Sequence, residues 1–293
     1  MARSLSVIIP AYNYGRFIAE AIESVLVQTM RPVEIVVVDD GSTDDTAEMV
    51  ARFGDAVKYI RQENAGVCIA RNRGVAESNG ELIAFLDADD IWEPTKLEKQ
   101  VAKFAEDARI GLVHCGMREF ESEAGKMIAL HLDGLEGDVA DELLLWEQPA
   151  VNVSGSATMV SRNAFENVGG FDPRIKCGED WDLCYRIARE FKVGFVREPL
   201  VNYRNHGGAA HLNVREMERG MSLFYKKAFA EGGEVLRLRR RAMGNFRRVL
   251  AGSYFRAGMY GDFLRNAAKS LWYRPSGIGY FAAFPLRRFR KTG

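Results

Sequence analysis

The chain has 293 residues, 47% of them apolar and 27% charged, the proportions of a globular protein large enough for one sizeable domain and an appendage. No apolar run approaches the roughly 20 residues needed to span a bilayer, and the four cysteines show neither metal-ligand spacing nor a dense disulfide pattern. The formal net charge is zero, but from Arg237 to the end 14 Lys/Arg stand against a single acid, Asp262, so the tail carries about +13 and the body about −13. Such asymmetry calls for an acidic partner to the tail: an anionic membrane, the protein's own body, or a dimer contact. No recognised nucleic-acid motif accompanies the charge, so no nucleic-acid role is expected. Met1–Ser6 runs into a strand without a signal peptide, and the expectation is a cytoplasmic protein with free thiols.

A buried strand is expected over Leu5–Ile9, closed by Pro10, then a turn at Tyr12–Gly15 and a helix over Phe17–Leu26. Ile35–Val38 is the next strand, ending at Asp39-Asp40-Gly41-Ser42, with Ser42 or Thr43 as the expected cap of a helix through Phe53. Val57–Ile60 reads as a strand and Val67–Ala76 as a helix. Leu82–Leu86 is an apolar run typical of a strand buried on both faces. It ends in Asp87, Asp89 and Asp90. Residues two apart in a strand share a side, so Asp87 and Asp89 could face one ligand at a strand's carboxyl end. Clustered carboxylates invite a hard divalent cation that also holds phosphate; the alternative is an acidic loop capping the helix near Pro94. That helix covers Lys96–Ala105, and Gly111–Cys115 is a strand. A hairpin around Gly125 and a helix near Val139–Trp146 are expected in the less regular stretch that follows. Ser156–Val160, Val193–Val196 and Leu200–Tyr203 read as strands, with helices at Asn163–Val168 and Leu183–Phe191. Past Gly232-Gly233, Phe246, Val249, Leu250 and Tyr254, then Phe263, Leu264, Ala267, Ala268 and Leu271, keep helical spacing in two helices, the second ended by Pro275. Alternating strands and helices imply a mostly parallel sheet flanked by helices. Neither a Gly-x-Gly-x-x-Gly turn after the first strand nor a P-loop is present.

Val7-Ile8-Ile9-Pro10-Ala11-Tyr12-Asn13, Glu34–Asp44, Gly66–Gly74, Phe85–Asp90 and Gly178-Glu179-Asp180, in that order, resemble the motifs of inverting family 2 glycosyltransferases. The resemblance covers Ser4 to His206. It implies a GT-A fold: a Rossmann-like, mostly parallel central sheet flanked by helices, here with a C-terminal helical extension. The implied division is residues 1–210 as the transferase domain (1–115 for the nucleotide sugar, 116–210 for the acceptor) and 211–293 as a basic amphipathic extension. The resemblance also implies transfer of a sugar from a nucleotide-diphosphate donor with inversion, using Mn²⁺ or Mg²⁺.

Carried over residue by residue, Pro10, Ala11, Tyr12 and Asp40 would take the nucleotide, with Asp40 on the base, expected to be uracil; capping the next helix with Asp39 is its other reading. Arg71 would reach the nucleotide or its diphosphate, with Arg73 an equally placed rival and a solvated helical Arg the bland alternative. In Asp87-Ala88-Asp89, Asp89 would bind the metal directly and Asp87 the ribose, or the metal through water, while Asp90 is assigned to a helix cap. Asp180 would be the general base taking the acceptor hydroxyl's proton, with Glu179 and then Asp182 as rivals. Glu179 and Trp181 would border the acceptor, Trp181 alternatively being core. His206 would complete a metal shell, its imidazole suiting Mn²⁺ better than Mg²⁺, or be a surface histidine; Gly207-Gly208 would let a lid move.

The expectation is a metal-dependent inverting glycosyltransferase acting on a sugar or lipid-linked acceptor in cell-surface polysaccharide assembly, peripheral on the inner face of the plasma membrane. Its rival is a catalytically silent nucleotide-sugar-binding module. A silent relative should have lost Asp40, Asp89 or Asp180, and all three are present. An oligomer is left open.

Overall fold

Every residue of β1 (Leu5–Ala11) is buried, as expected of a strand covered on both faces. In the computed structural model, which describes residues 3–206 and 213–282, α1 (Ile18–Leu26) lays Ile18, Ala21, Ile22 and Val25 into the cluster formed with Val7 and Ile9. β2 (Glu34–Asp39) runs parallel to β1, Ser6 opposite Glu34 and Ala11 opposite Asp39. α2 (Thr46–Ala51) starts later than expected, with Asp45 rather than Ser42 or Thr43 in the cap position. Ser42 is engaged elsewhere: its N–H donates to Asp39 Oδ1 at 2.8 Å and its hydroxyl accepts from Asn13 N at 2.9 Å. Neither Asp39 nor Asp40 caps that helix. β3 (Lys58–Arg61) pairs with β2 at the sheet edge. α3 (Val67–Ala76) lies so close that a Cβ on Gly74 would fall 2.4 Å from Ile8 Cγ2. β4 (Leu82–Phe85) flanks β1 on the other side, also parallel.

Pairing then changes sense. β5 (Ile91–Trp92) is a two-residue strand invisible in the periodicity. α4 (Lys96–Phe104) has Thr95, not Asp90, at its N-cap. β6 (Ile110–Glu121) is longer than its apolar run and forms the expected hairpin with β7 (Met127–His131), with Gly125 at φ +63°. After α5 (Ala140–Leu145), β8 (Thr158–Ser161) inserts antiparallel between β4 and β6. α6 (Arg162–Asn167) is capped by Ser161, and α7 (Glu179–Glu190) precedes β9 (Lys192–Asn205). Where two strands were expected, β9 is continuous. It stays parallel to β6 past Pro199 through register shifts near Gly116. The sheet order is β3-β2-β1-β4-β8-β6-β9-β5, with β7 on β6.

The chain divides into two compact units, Met1–Ala140 with Pro149–Ala209, and Asp141–Gln148 with Ala210–Gly293. The second holds α8 (Val214–Ala230), α9 (Arg239–Arg256), α10 (Tyr260–Tyr273) and α11 (Ile278–Ala282); α8 is not among the helices expected from residue spacing. Phe246, Leu250 and Tyr254 are buried, and Pro275 follows the end of α10. Tyr225 Oη donates to Leu144 O at 3.0 Å and Asn245 Nδ2 to Leu145 O at 2.9 Å, which fixes the Asp141–Gln148 segment to these helices. Some tail cations find acids within this unit: Arg237 pairs with Asp141, and Arg241 and Arg274 with Glu147. Among the described residues no helix is long and apolar enough to cross a membrane. All four cysteines are free.

Candidate active site

The carboxyl ends of β1 and β2 are locked together. Asp40 N donates to Ala11 O at 2.8 Å and Thr43 N to Asn13 Oδ1 at 2.8 Å. Pro10 and Ala11 are buried, while Tyr12 projects at 45% exposure. Asp40 is buried and organises the chain ahead of α3. Its Oδ1 accepts from Gln62 Nε2 (2.7 Å) and Ala65 N (2.9 Å), and its Oδ2 from Gly66 N (2.7 Å).

β4 stops at Phe85, so Asp87–Asp90 is a turn, closed by Asp90 N to Asp87 O at 3.0 Å, and not a strand end. The strand geometry behind the same-side expectation is therefore absent here, and in this turn Asp87 and Asp89 contact different protein partners. Ala88 between them is buried. Asp87 N donates to Ser156 Oγ (3.0 Å), and Asp87 Oδ1 accepts from Arg71 Nη2 at 2.6 Å. Asp89 Oδ2 lies 2.9 Å from His206 Nε2. The Tyr14 hydroxyl donates to Asp89, and its ring stands edge-on to His206 at 6.2 Å. Asp90 is not a helix cap. It is buried beneath β9, where Oδ1 accepts from Arg204 N at 3.0 Å and Oδ2 has no protein partner. Gly207 and Gly208 lie outside the described residues.

Arg71 is the hub. It is buried on α3 and stacks 5.1 Å from the Phe171 ring centroid, whereas Arg73 is exposed. Besides Asp87, its Nη1 donates to Asp180 Oδ1 (2.9 Å) and Glu179 Oε1 (3.3 Å). Both acids open α7 after Gly178, whose φ of +87° a side chain would resist. Carboxylates there are favoured by the helix's positive end. Asp180 Oδ2 accepts from Gly155 N at 3.2 Å. A Cβ on Gly155 would sit 2.8 Å from Arg71 Nη2, so a side chain there would displace the guanidinium from its present position. Trp181 is half-buried beside this pair. Asp182 is buried and paired with Arg186, which removes it as a rival base.

Burial pushes the Asp180 carboxyl up to about 7; Arg71 pulls it down, while Glu179 and Asp87 push further up. Burial, then Asp87, also raises Asp89, with the His206 contact opposing. Asp90 is raised well above the ordinary range by burial and by Asp89 and Asp87. Burial and the same three aspartates raise the Tyr14 and Tyr203 hydroxyls.

Asp87, Asp89 and His206 offer hard oxygens and one imidazole, a donor set that fits Mn²⁺ or Mg²⁺. The mutual repulsion of the aspartates and the unpartnered Asp90 oxygen mark a place where positive charge is wanted. Among the described residues no three or more His, Cys, Asp or Glu side chains form a finished metal cage.

Sequence reasoning missed Tyr14, Ser156, Gly155 and Arg204. Arg204 donates to Asp89 O (2.7 Å) and Glu20 (2.7 Å), which steadies the strand end ahead of His206. Tyr14 and Arg204 stood two residues from Tyr12 and His206 and could have been drawn in. Gly155 and Ser156 carried no signal.

A family model, Glycosyl transferase family 2, matches residues 6–169. An uncharacterized glycosyltransferase of Nostoc sp. is 34% identical over 216 residues, covering 72% of this chain and 67% of that one. Glycosyltransferase GlyA of Streptococcus pneumoniae is 36% identical over 222 residues, 70% of this chain and 31% of that one. Among solved structures, mannosyltransferase PcManGT from Pyrobaculum calidifontis in complex with GDP-Man and Mn²⁺ superposes with a TM-score of 0.67 at 19% identity, over 99% of this chain and 83% of that chain. TarS from S. aureus in complex with UDP-GlcNAc gives 0.61 at 17% identity, over 90% of each chain. The fold is GT-A, a central α/β sheet flanked by helices with a C-terminal helical extension, and the chain belongs to glycosyltransferase family 2.

Proposed function

We propose that the protein is a metal-dependent inverting hexosyltransferase. It moves a sugar from a UDP-linked donor to a hydroxyl of a sugar or lipid-linked acceptor in cell-surface polysaccharide assembly, attached peripherally to the inner face of an anionic membrane. Residues 1–210 would be the transferase domain (1–115 for the donor, 116–210 for the acceptor) and 211–293 the attached extension. One observation carries the reading: a single buried guanidinium, Arg71, is shared between Asp87 of the Asp-x-Asp turn and Asp180 of α7, and Asp180 is raised to about 7.

Asp180 takes the proton of the acceptor hydroxyl as that oxygen bonds to the anomeric carbon. The bond from that carbon to the phosphate oxygen breaks, and its electron pair leaves with the nucleoside diphosphate. A carboxylate near 7 is partly ionised at neutral pH and a better base than an ordinary aspartate. Pro10, Ala11 and Tyr12 border the nucleotide. Asp40 already accepts three hydrogen bonds and keeps acceptor capacity for one donor of the base. Glu179 and Trp181 border the acceptor, the half-buried indole as an apolar platform. Asp89, Asp87 and His206 would hold the cation, and a bound Mn²⁺ or Mg²⁺ supplies neutralisation of the departing diphosphate.

The test is transfer from UDP-sugars by the wild type and Asp180→Asn. The substitution should lower turnover by at least about 10²-fold while UDP-sugar still raises the melting temperature. Full turnover would remove Asp180 as the base. Chelator should abolish wild-type transfer and added Mn²⁺ restore it; undiminished transfer in chelator would refute metal dependence.

A further inference from the structure

α10 turns Asn266 and Ser270 inward, with Ser270 Oγ donating to Gly244 O of α9 at 2.8 Å. Its other side carries Tyr260, Leu264, Ala268 and Trp272, each four residues from the last. Tyr260 is 53%, Leu264 64% and Trp272 72% exposed. Positions four apart drift slowly around a helix, so the four form one apolar stripe about 18 Å long. Ile278, at the start of α11, is 66% exposed as well. A stripe with a naked tryptophan and leucine is a surface that contacts something.

Charge identifies the partner. Arg265 and Lys269 border the stripe, one residue after Leu264 and Ala268. Arg265 is answered by Glu218 and Asp262. Lys269 has Arg247 and Arg265 for neighbours as well as Glu218; burial and then the two cations lower its pKa, with Glu218 opposing more weakly. The sequence beyond the described residues adds Arg287, Arg288, Arg290 and Lys291 among Phe284, Leu286 and Phe289. A protein groove would satisfy the stripe without needing cations along its border. A bilayer with anionic headgroups answers both, taking apolar side chains at the acyl boundary and cations among the phosphates, and Tyr and Trp suit that interface.

We propose that the Tyr260–Leu264–Ala268–Trp272 face of α10 is a docking surface for an anionic lipid bilayer, with α10 lying in the plane of the interface. This deepens the peripheral attachment stated above and is independent of the catalytic reading.

The experiment sediments the full chain with phosphatidylglycerol-containing vesicles and with phosphatidylcholine vesicles, at low and high salt, beside light scattering without lipid. Thermal melts and UDP-sugar turnover in solution check that variants fold and that the active site is intact. Preferential binding to the anionic vesicles, weakened by salt, is expected. Leu264→Glu combined with Trp272→Glu should lower the partition coefficient roughly tenfold or more, and Lys269→Glu several-fold with a shallower salt dependence. Vesicle binding unaffected by the double substitution overturns the assignment of this face. Absence of binding to either vesicle overturns the membrane, as does lipid-free self-association that the same substitutions abolish, which would assign the face to a second copy. Loss of turnover in the wild type with binding intact refutes the catalytic reading alone.

Discussion

Arg71→Met would remove the one cation that three carboxylates share. Breaking a buried ion pair by deleting one partner costs about 3–5 kcal/mol. Here Asp87, Asp180 and Glu179 keep 28%, 19% and 14% side-chain exposure, so water screens what remains and about 3 kcal/mol is expected at pH 7. Arg71 is also the larger of the influences holding the Asp180 carboxyl down, the Gly155 N–H being a smaller one. Without it Asp180 rises above about 7. The sign of the pH dependence follows. A carboxyl whose folded pKa exceeds its unfolded value binds protons preferentially in the folded state, so its contribution is favourable at low pH and is lost as pH rises toward the folded pKa. For the wild type the span from 3.8 to about 7 sets a ceiling of about 4 kcal/mol, lost between roughly pH 4 and pH 7. In the variant the window extends to higher pH, so its deficit shrinks on acidification. Urea unfolding at pH 5, 7 and 8 reads this, and the pH–rate profile reads the base. The acid limb of kcat/KM should have its midpoint near 7 in the wild type and move alkaline in the variant, with partial recovery of activity at high pH. A purely structural loss would scale the profile without moving it. Arg71→Lys should restore part of the stability but not the bridging, since an ammonium cannot fork between Asp87 and Asp180. An unmoved midpoint with a stability loss below about 1 kcal/mol would refute the reasoning.

Two further expectations concern single contacts. Lys96 is fully buried, its ammonium 2.7 Å from Gln100 Oε1 and 3.9 Å above the Trp92 ring, and burial lowers its pKa to about 8. A depressed lysine destabilises below its folded pKa and the penalty fades as pH rises toward 10.5, so Lys96→Met should raise unfolding free energy at pH 7 by about 1–3 kcal/mol, with no gain above pH 10; a loss in urea titrations at pH 7 would contradict this. Gly155→Ala puts a methyl 2.8 Å from Arg71 Nη2 and 3.3 Å from Asp87 Oδ1, so kcat should fall about tenfold or more with little change in melting temperature. Unchanged turnover would mean that the guanidinium yields freely.

What was legible in the sequence was whatever a short window encodes. β1, β2 and β4 are buried on both faces and therefore read as unbroken apolar runs, and the Gly125 hairpin announced itself through its turn. Asp90 was misread because a carboxylate shortly before Pro94 has the local look of a cap. What fixes it is the Arg204 backbone N–H, 114 residues away, which no window sees. β5 is two residues long and exists only because Asn202 and Val201 pair with it. β9 looked like two strands because Pro199 interrupts its pattern, and register shifts opposite Gly116 absorb the interruption. α8 buries Gly220, Met221, Phe224, Tyr225 and Ala228 at helical spacing, a pattern present in the chain but diluted by the charged residues between.

The same limit applies to the candidate site. Asp87, Asp89, Glu179 and Asp180 were recognisable as residue types at motif spacing, but their wiring was not. α3 buries Cys68, Ala70, Arg71, Gly74 and Val75, small residues that make no apolar stripe, so nothing local distinguished Arg71 from Arg73. The distinction arises because Gly155, Asp87 and the first turn of α7 converge from separate segments on one side of α3. Five acids then crowd the ends of β4 and α7 (Asp87, Asp89, Asp90, Glu179 and Asp180); Arg71 places its guanidinium on three of these carboxylates, while Arg204 meets the Asp90 carboxylate with its backbone N–H and only the backbone carbonyl of Asp89 with its side chain. Burial first, and then the repulsion among these acids, raises the carboxyls at Asp89, Asp90 and Asp180. An imbalance of this kind destabilises a fold. Its persistence at a strand terminus is an argument that positive charge, brought by what binds there, completes the cluster.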